Sequence, residues 1–459
     1  MTENAASFKA KTTIKSDDRE HRRKINFNIS RYNAVVPVGK HQFTELMTAR
    51  ERAKNAKWRA LENLDQHLEE FEMQFTKRGG QVIWAETAEQ ALEEIGRICK
   101  ARNCKTVVKS KSMVTEEIHL NRFLENLGIE SVETDLGEYI QQLDGEPPYH
   151  IVTPAMHKSK EDVAKLFAEK LGTPSHLTPG ELTLVARHTL RSKFVTAEIG
   201  ITGANFLISD IGGIAITENE GNARLSCAFP KTHIAVVGIE KMLPTMADLG
   251  LFWPLLSTFG TGQKVTVYNS IVTGPRQEGE NDGPEEMFVI LLDNGRTKML
   301  QNPKMREALY CIRCGACLNA CPVYKNIGGH AYETTYSGPI GSVITPHLKE
   351  MDEYKHLSNA SSLCGNCTEV CPVRINLHEL LLENRREAVE FGMASFGEKM
   401  AWKAWKTGSL NRSLMNLGNG RWKNIVVNKV FKAWTAHRGN LQFSEKTFNQ
   451  QWKERKEKK

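Results

Sequence analysis

Seven of the ten cysteines fall in two runs whose spacing suits iron rather than disulfides. The first, Cys311-Ile-Arg-Cys314-Gly-Ala-Cys317-Leu-Asn-Ala-Cys321-Pro322, follows the C-x2-C-x2-C-x3-C-P pattern: three closely spaced thiolates grip one iron-sulfur cluster and the fourth crosses to another. Zinc would call for paired ligands instead of a run of four. The second run, Cys364-Gly-Asn-Cys367-Thr-Glu-Val-Cys371-Pro372, ends the same way, but Ser361 stands where its first cysteine should be. The crossing rule gives cluster 1 as Cys311, Cys314, Cys317 and Cys371, and leaves cluster 2 with Cys321, Cys364 and Cys367.

Two clusters of the [4Fe-4S] kind are therefore expected, with the second open to three readings. It could be [3Fe-4S]; it could be four-iron, completed by Ser361, another side chain or a partner; or it could keep one iron open as a Lewis acid. An electron-carrying cluster with an unusual ligand is the simpler reading. Cys99, Cys104 and Cys227 are scattered and read as small buried hydrophobes. Between the runs, the glycine-rich stretch Lys325 to Gly341 carries His330, Tyr332 and Tyr336. It could shield a cluster or face a redox partner, although packing accounts for each residue singly.

A chain of 459 residues with an ordinary apolar fraction has room for roughly three domains. Residues 1–40 lack periodicity and read as extended or disordered. Residues 41–80 show Phe43, Leu46, Trp58, Leu61, Leu64, Leu68, Phe71 and Phe75 at helical spacing, ended by Gly79-Gly80. Residues 81–297 alternate short apolar runs with amphipathic stretches, which implies a mostly parallel α/β domain. The expected strands are 106–109, 150–153, 206–209, 213–217, 234–238, 265–268 and 288–292; the expected helices are 87–102, 115–127, 160–171, 179–191 and 241–256. A helix at 298–309 leads into a ferredoxin-type domain, 298–380, followed by a basic, Trp-rich helical region, 381–459.

Ligands of open α/β sheets bind beyond the carboxyl ends of the strands. That singles out Lys109 and Ser110 after one strand and Glu218 and Asn219 after another. A substrate carboxylate would favour Lys109 or Arg224, and Glu198, Glu218 or His233 could take a proton. Each, taken singly, reads more readily as a surface or structural group. The glycines at 200, 203, 212, 213, 260 and 262 match neither a dinucleotide fingerprint nor a phosphate loop, and read as turns.

The net charge of +7 is unevenly placed: Ser395 to Lys459 holds 15 Lys+Arg against 4 Asp+Glu, and five of the eight tryptophans (Trp402, Trp405, Trp422, Trp434, Trp452). Such a tail suits docking on a partner or an anionic membrane, or a helical cap with a solvated basic face. No nucleic-acid module accompanies the charge. No window is apolar enough to span a membrane, and Arg22-Arg23 is followed by no apolar stretch. The expected location is cytoplasmic, with peripheral contact at the inner membrane face if the tail binds lipid.

The two cysteine runs, the segments Gly328-Gly-His-Ala-Tyr332 and Gly338-Pro-Ile-Gly341, and the stretches Glu198 to Asn205 and Ile211 to Asn222 together resemble the lactate-utilisation protein B family, from roughly Phe43 to Gly439. The resemblance implies an α/β lactate-utilisation domain of the isomerase/CoA-transferase class, then an α-helical bis-cluster ferredoxin-type domain and a helical tail. It implies seven cysteine ligands at the positions above. It also implies a part in oxidising L-lactate to pyruvate with two companion subunits, electrons passing through the clusters to an acceptor. Two one-electron clusters suit the two electrons that lactate gives up. An iron-sulfur sensor or assembly scaffold without turnover, or the same role with another 2-hydroxy acid such as glycolate, are the alternatives.

Overall fold

The computed structural model describes residues 2–430, 432–435 and 439–457, without the side chains at 433 and 434. The chain forms two compact units, one reaching to Ala388 and one from Val389 onward. The first contains ten strands: β1 (Gln81–Ala85), β2 (Thr106–Lys109), β3 (Glu130–Glu133), β4 (Ile199–Thr202), β5 (Phe206–Ile208), β6 (Gly213–Glu218), β7 (Thr232–Gly238), β8 (Met242–Leu243), β9 (Tyr268–Val272) and β10 (Glu286–Leu292). Six make a wholly parallel sheet in the order β1-β10-β7-β4-β2-β3. The others form a smaller mixed sheet, β8-β5-β6-β9, in which β6 runs antiparallel to both neighbours.

Parallel strands are covered on both faces and so read as unbroken apolar runs. All seven residues of β7 are buried. The covering helices show the matching pattern: Ala88–Ala101 turns Ala91, Ile95, Ile98 and Cys99 inward, and the Thr87 hydroxyl accepts from the Gln90 N–H to start it. Thr178 and Glu181 form a capping box before Pro179–Thr196.

The fold departs from the sequence expectations in several places: β1, β3, β4 and β8 were not expected, and the helix expected at 298–309 is two pieces, Arg296–Gln301 and a 3-10 turn at Arg306–Tyr310, parted at Asn302 and Pro303. Residues 1–40 are helical rather than extended or disordered, as Glu3–Asp17 and Arg19–Lys40. Ile25 and Ile29, one turn apart, are buried, Phe8 meets the Tyr332 ring, and Arg22 donates to Asn326. Tertiary contacts hold these helices where local amphipathicity does not. The expected strand at 150–153 is a bend, because His150 Nδ1 accepts from the Val152 and Thr153 N–H groups that a ladder would use. The expected helix at 115–127 breaks at His119, whose φ is 54°. The helix expected from 241 starts at Leu249 instead, behind β8 and a Thr245/Asp248 capping box. Finally, β9 begins at Tyr268, where the strand expected at 265–268 would have ended.

The helix Leu249–Thr261 packs beside Arg19–Lys40 at a glycine contact. A Cβ on Gly39 would lie 2.4 Å from the Gly262 carbonyl oxygen, so only glycine fits.

The second unit is helical, with segments Phe396–Leu410, Arg412–Asn416, Gly420–Val430, Lys432–Thr435 and Phe448–Glu457. Trp402, Trp405, Trp422 and Trp452 are exposed. Among the described residues no helix is long and apolar enough to cross a membrane. Lys458 and Lys459, the end of the basic run, lie outside the described residues, as does the Trp434 side chain.

Candidate functional site: two thiol sets and an adjoining cavity

The two cysteine runs have nearly the same backbone. Arg313 and Leu363 take φ values of 60° and 53°, and Gly315 and Gly365 take 77° and 78°. Each run then enters a short helix, Ala316–Ala320 or Asn366–Glu369. These left-handed residues bend each run so that its thiols converge.

Cys311, Cys314, Cys317 and Cys371 line one small buried cavity with Ile151, Ile340 and Val373. One thiol of the second run thus joins three of the first. Cys321 sits instead with Cys364 and Cys367, near enough for the three to feel one another's charge.

Both sets fit iron-sulfur clusters. Backbone N–H groups donate to the sulfurs, from Arg313 to Cys311 at 3.4 Å, Ile375 to Cys371 at 3.3 Å and Tyr324 to Cys321 at 3.5 Å, as they do around such clusters. Burial pushes the thiols of Cys314, Cys317, Cys321, Cys367 and Cys371 up, Cys367 to about 11 and Cys371 to about 12; a bound cation is what lets such groups ionise together. Cys364, by contrast, is exposed. Arg50 fixes the far end of the second run, donating to the Cys371 carbonyl from Nε at 3.1 Å and Nη2 at 2.8 Å.

A second cavity, of about 530 Å³, opens beyond the carboxyl ends of β2, β3, β4 and β7, where ligands of such sheets bind. Arg313, Cys314 and Tyr336 reach its wall from the cysteine region. Cys314 therefore lines both cavities.

Three cations face this space. Lys111 Nζ donates to the Val152 carbonyl at 2.5 Å. Lys241, buried just after β7, makes no hydrogen bond or ion pair among the described residues; burial and the neighbouring Arg313 bring it down to about 8. The Arg313 guanidinium lies 4.4 Å from the Tyr336 ring centroid and 3.5 Å from Glu240, and its Nη1 has no partner. Tyr336 in turn donates to Glu117 at 2.6 Å, and Arg296 bridges Glu117 and Glu240 at 2.9 and 2.5 Å. This buried network sets the direction of Arg313.

Three carboxylates oppose the cations. Asp135 Oδ1 accepts from the Gly137 and Glu138 N–H groups. Glu218 is committed to the Ala223 and Arg224 N–H groups at 2.8 and 2.9 Å, holding the start of the helix Asn222–Ala228. Glu220 is freer, with one bond from the Leu136 N–H at 3.0 Å. It is open to the water of the cavity, yet enclosure by protein and the charge of Asp135 push it up to about 7. The arrangement can bind a carboxylate on one side and take a proton on the other.

Of the residues singled out from sequence, Glu218, Ser110 and Asn219 line the cavity and four others do not. Lys109 is sealed in ion pairs with Glu116 and Glu133 at 2.7 and 2.8 Å; burial opposes its charge, but those carboxylates hold it above the usual range. Glu198 sits at the opposite end of the sheet, accepting from the Lys105 and Thr106 N–H groups. Arg224 is exposed on the outside of its helix. His233 is wholly buried against Thr202 at 2.8 Å, and burial holds it neutral, at about 4.

Lys241, Arg313 and Glu220 were missed. Arg313 carried a usable signal, a charged side chain between two cluster cysteines. The glycine-rich loop between the runs packs on the 147–157 segment: His330 bonds the Pro147 carbonyl at 2.8 Å, and Tyr324 OH donates to the Tyr149 carbonyl at 2.9 Å.

Residues 68–292 match the LUD domain family, and residues 307–375 match the 4Fe-4S dicluster domain family. Lactate utilization protein B of Anoxybacillus flavithermus is 48% identical over 385 residues, covering 82% of this chain and 81% of the relative. The protein of that name from Bacillus velezensis is 48% identical over 372 residues, 81% of this chain and 78% of the relative. That from a Geobacillus species is 48% identical over 398 residues, 84% of each. A DUF162 family protein from Deinococcus radiodurans is similar at 14% identity and a TM-score of 0.29, over 50% of this chain and 98% of that one, too weakly to carry an argument.

Proposed function

Because this chain belongs to the lactate utilization protein B family, we propose that it is the iron-sulfur subunit of an assembly, with two companion subunits, that oxidises L-lactate to pyruvate. The observation that carries this reading is Cys314, which lines both the four-thiol cavity and the polar cavity of the α/β domain. A site for a 2-hydroxy acid then lies against a site for an electron carrier.

Cys311, Cys314, Cys317 and Cys371 would hold one [4Fe-4S] cluster, and Cys321, Cys364 and Cys367 the other. Once bound, the clusters supply one-electron transfer. The protein's own side chains do the rest. Lys241 and Arg313 are cations with unused donors, and they bind the substrate carboxylate; the planar guanidinium favours a two-point grip. Glu220, ionised above about pH 7, accepts the hydroxyl proton, while the C2 hydrogen leaves with its electron pair to a two-electron acceptor on a companion subunit, which passes the electrons singly to the clusters. The Tyr336 ring and the Glu117-Arg296-Glu240 network hold Arg313 in place throughout.

Exposure at Cys364 supports an electron exit at that surface toward a companion or external acceptor. The exposed tryptophans of the basic tail support docking there, on a companion subunit or at a membrane face.

The test is lactate-dependent bleaching of cluster absorbance in a purified mixture of the three subunits. Clusters that stay oxidised with lactate present would sink the proposal; bleaching by glycolate in preference to lactate would reassign the substrate.

A further inference from the structure

The likeness between the two cysteine runs extends to Ser361, three residues before the first cysteine of the second. In the first run the Arg313 N–H donates to Cys311 Sγ at 3.4 Å. In the second, the Leu363 N–H donates to Ser361 Oγ at 3.0 Å. The donors stand at the same offset, and both adopt the left-handed backbone, φ 60° and 53°. The glycine two residues further on repeats the match at 77° and 78°. The Ser361 hydroxyl therefore holds, within its run, the place that the Cys311 thiol holds in the other.

We propose that Ser361 is the fourth protein ligand of the second cluster, bound through oxygen. The inference rests on the assignment of Cys321, Cys364 and Cys367 to that cluster. Each run then supplies three consecutive ligands to its own cluster and one crossing cysteine to the other. As the Fe–Oγ bond forms, the Ser361 hydroxyl releases its proton to solvent; no electron moves. The Leu363 N–H donates to the resulting alkoxide, a charge-assisted bond stronger than the neutral one. Oxygen is a harder ligand than sulfur and favours the more oxidised iron, so this cluster takes a lower potential than its fully cysteinyl neighbour.

The test uses the full-length protein, anaerobically loaded with iron and sulfide, as Ser361→Ala, Ser361→Cys and the unaltered chain. Mössbauer and electron paramagnetic resonance spectra and iron content are read, not turnover. In the unaltered chain about eight irons are expected, in two four-iron clusters. Ser361→Ala is expected to lose about one iron per chain and to show a three-iron signal when oxidised. Ser361→Cys is expected to keep all the iron and to shift the midpoint potential of one cluster upward. An alanine variant with unchanged iron and spectra would overturn the ligand while leaving the cluster assignment intact. An unaltered chain already three-iron at this site would overturn it too, and one holding a single cluster would overturn ligand and assignment together.

Discussion

The Arg313 guanidinium stacks 4.4 Å from the centre of the Tyr336 ring, and both side chains face the polar cavity. Arg313 stands between Cys311 and Cys314, so one short stretch of chain serves the thiol set and the cavity together. The stack and the Glu240 contact leave it little rotational freedom, which favours a fixed anion site over a mobile surface charge.

Arg313→Ala is expected to lower kcat/KM for L-lactate about 10- to 100-fold, the range corresponding to a charged hydrogen bond of about 1.5–3 kcal/mol. The loss should fall mainly on KM, with iron content unchanged. Lys241→Gln should act in the same direction. Unaltered KM in both variants would remove the carboxylate from this cavity.

Glu220 is held at about 7 by its enclosure and by Asp135. It is protonated below that value and unable to accept a proton. With lactate as substrate, kcat/KM is therefore expected to rise with an inflection at about 7 and to fall again above about 8, where Lys241 gives up the charge that binds the carboxylate. Glu220→Gln should be slow and lack this inflection; a variant that keeps the inflection assigns it to another group.

The crossed thiol sets make a grouping prediction. Cys371→Ala should give the same spectroscopic loss as Cys317→Ala, and Cys321→Ala the same as Cys364→Ala. Electron paramagnetic resonance of the reduced variants reads the surviving cluster. A Cys371 variant that groups with Cys364 would mean that the runs bind separately.

Glu240 illustrates acid sensitivity. Burial raises its carboxyl, but Arg296, then Arg313 and Lys241, outweigh that and hold it at about 2 against an ordinary 4.5. The stability it contributes is present above about pH 4.5 and is lost as pH falls toward 2. Glu240→Gln leaves Arg296 with half its compensation and should cost about 3–5 kcal/mol at neutral pH, read from chemical denaturation. Its acid transition should also be shallower than that of the unaltered chain.

Gly329→Ala tests the packing of the loop between the runs. A Cβ there would lie 1.8 Å from the Tyr149 carbonyl oxygen. The expected loss is about 1–3 kcal/mol, seen as a lower melting temperature. An unchanged melting temperature would show that the loop moves freely.

Legibility from sequence followed the range of the forces involved. The grouping of the thiols, with Cys371 beside Cys311, Cys314 and Cys317, could be read directly, because spacing within a run is local chemistry. The apolar runs within β2, β7 and β10 were equally plain, since strands covered on both faces bury apolar side chains on both. The helices of residues 1–40 were invisible because their support comes from Tyr332, Asn326 and other residues some 300 positions away. The bend at 150–153 depended on a histidine capturing backbone N–H groups, which apolar content cannot reveal. Among the site residues, Glu218 followed from its strand end. Lys109 failed because two carboxylates distant in the sequence, or on the next helix, close over it. Lys241 was hidden by reading residues 241–256 as one helix, which removed it from the end of β7.

The exchange of Cys321 and Cys371 has a consequence for how the metal enters. With both crossings in place, each cluster ties the same two segments of chain together across a loop of some fifty residues. Whichever cluster forms first closes that loop, and the second then forms without the entropy of closing it again. Under the proposed ligation, loading of the unaltered chain is expected to be cooperative: half-filled molecules should be scarce, and loss of iron from one centre should loosen the clasp on the other.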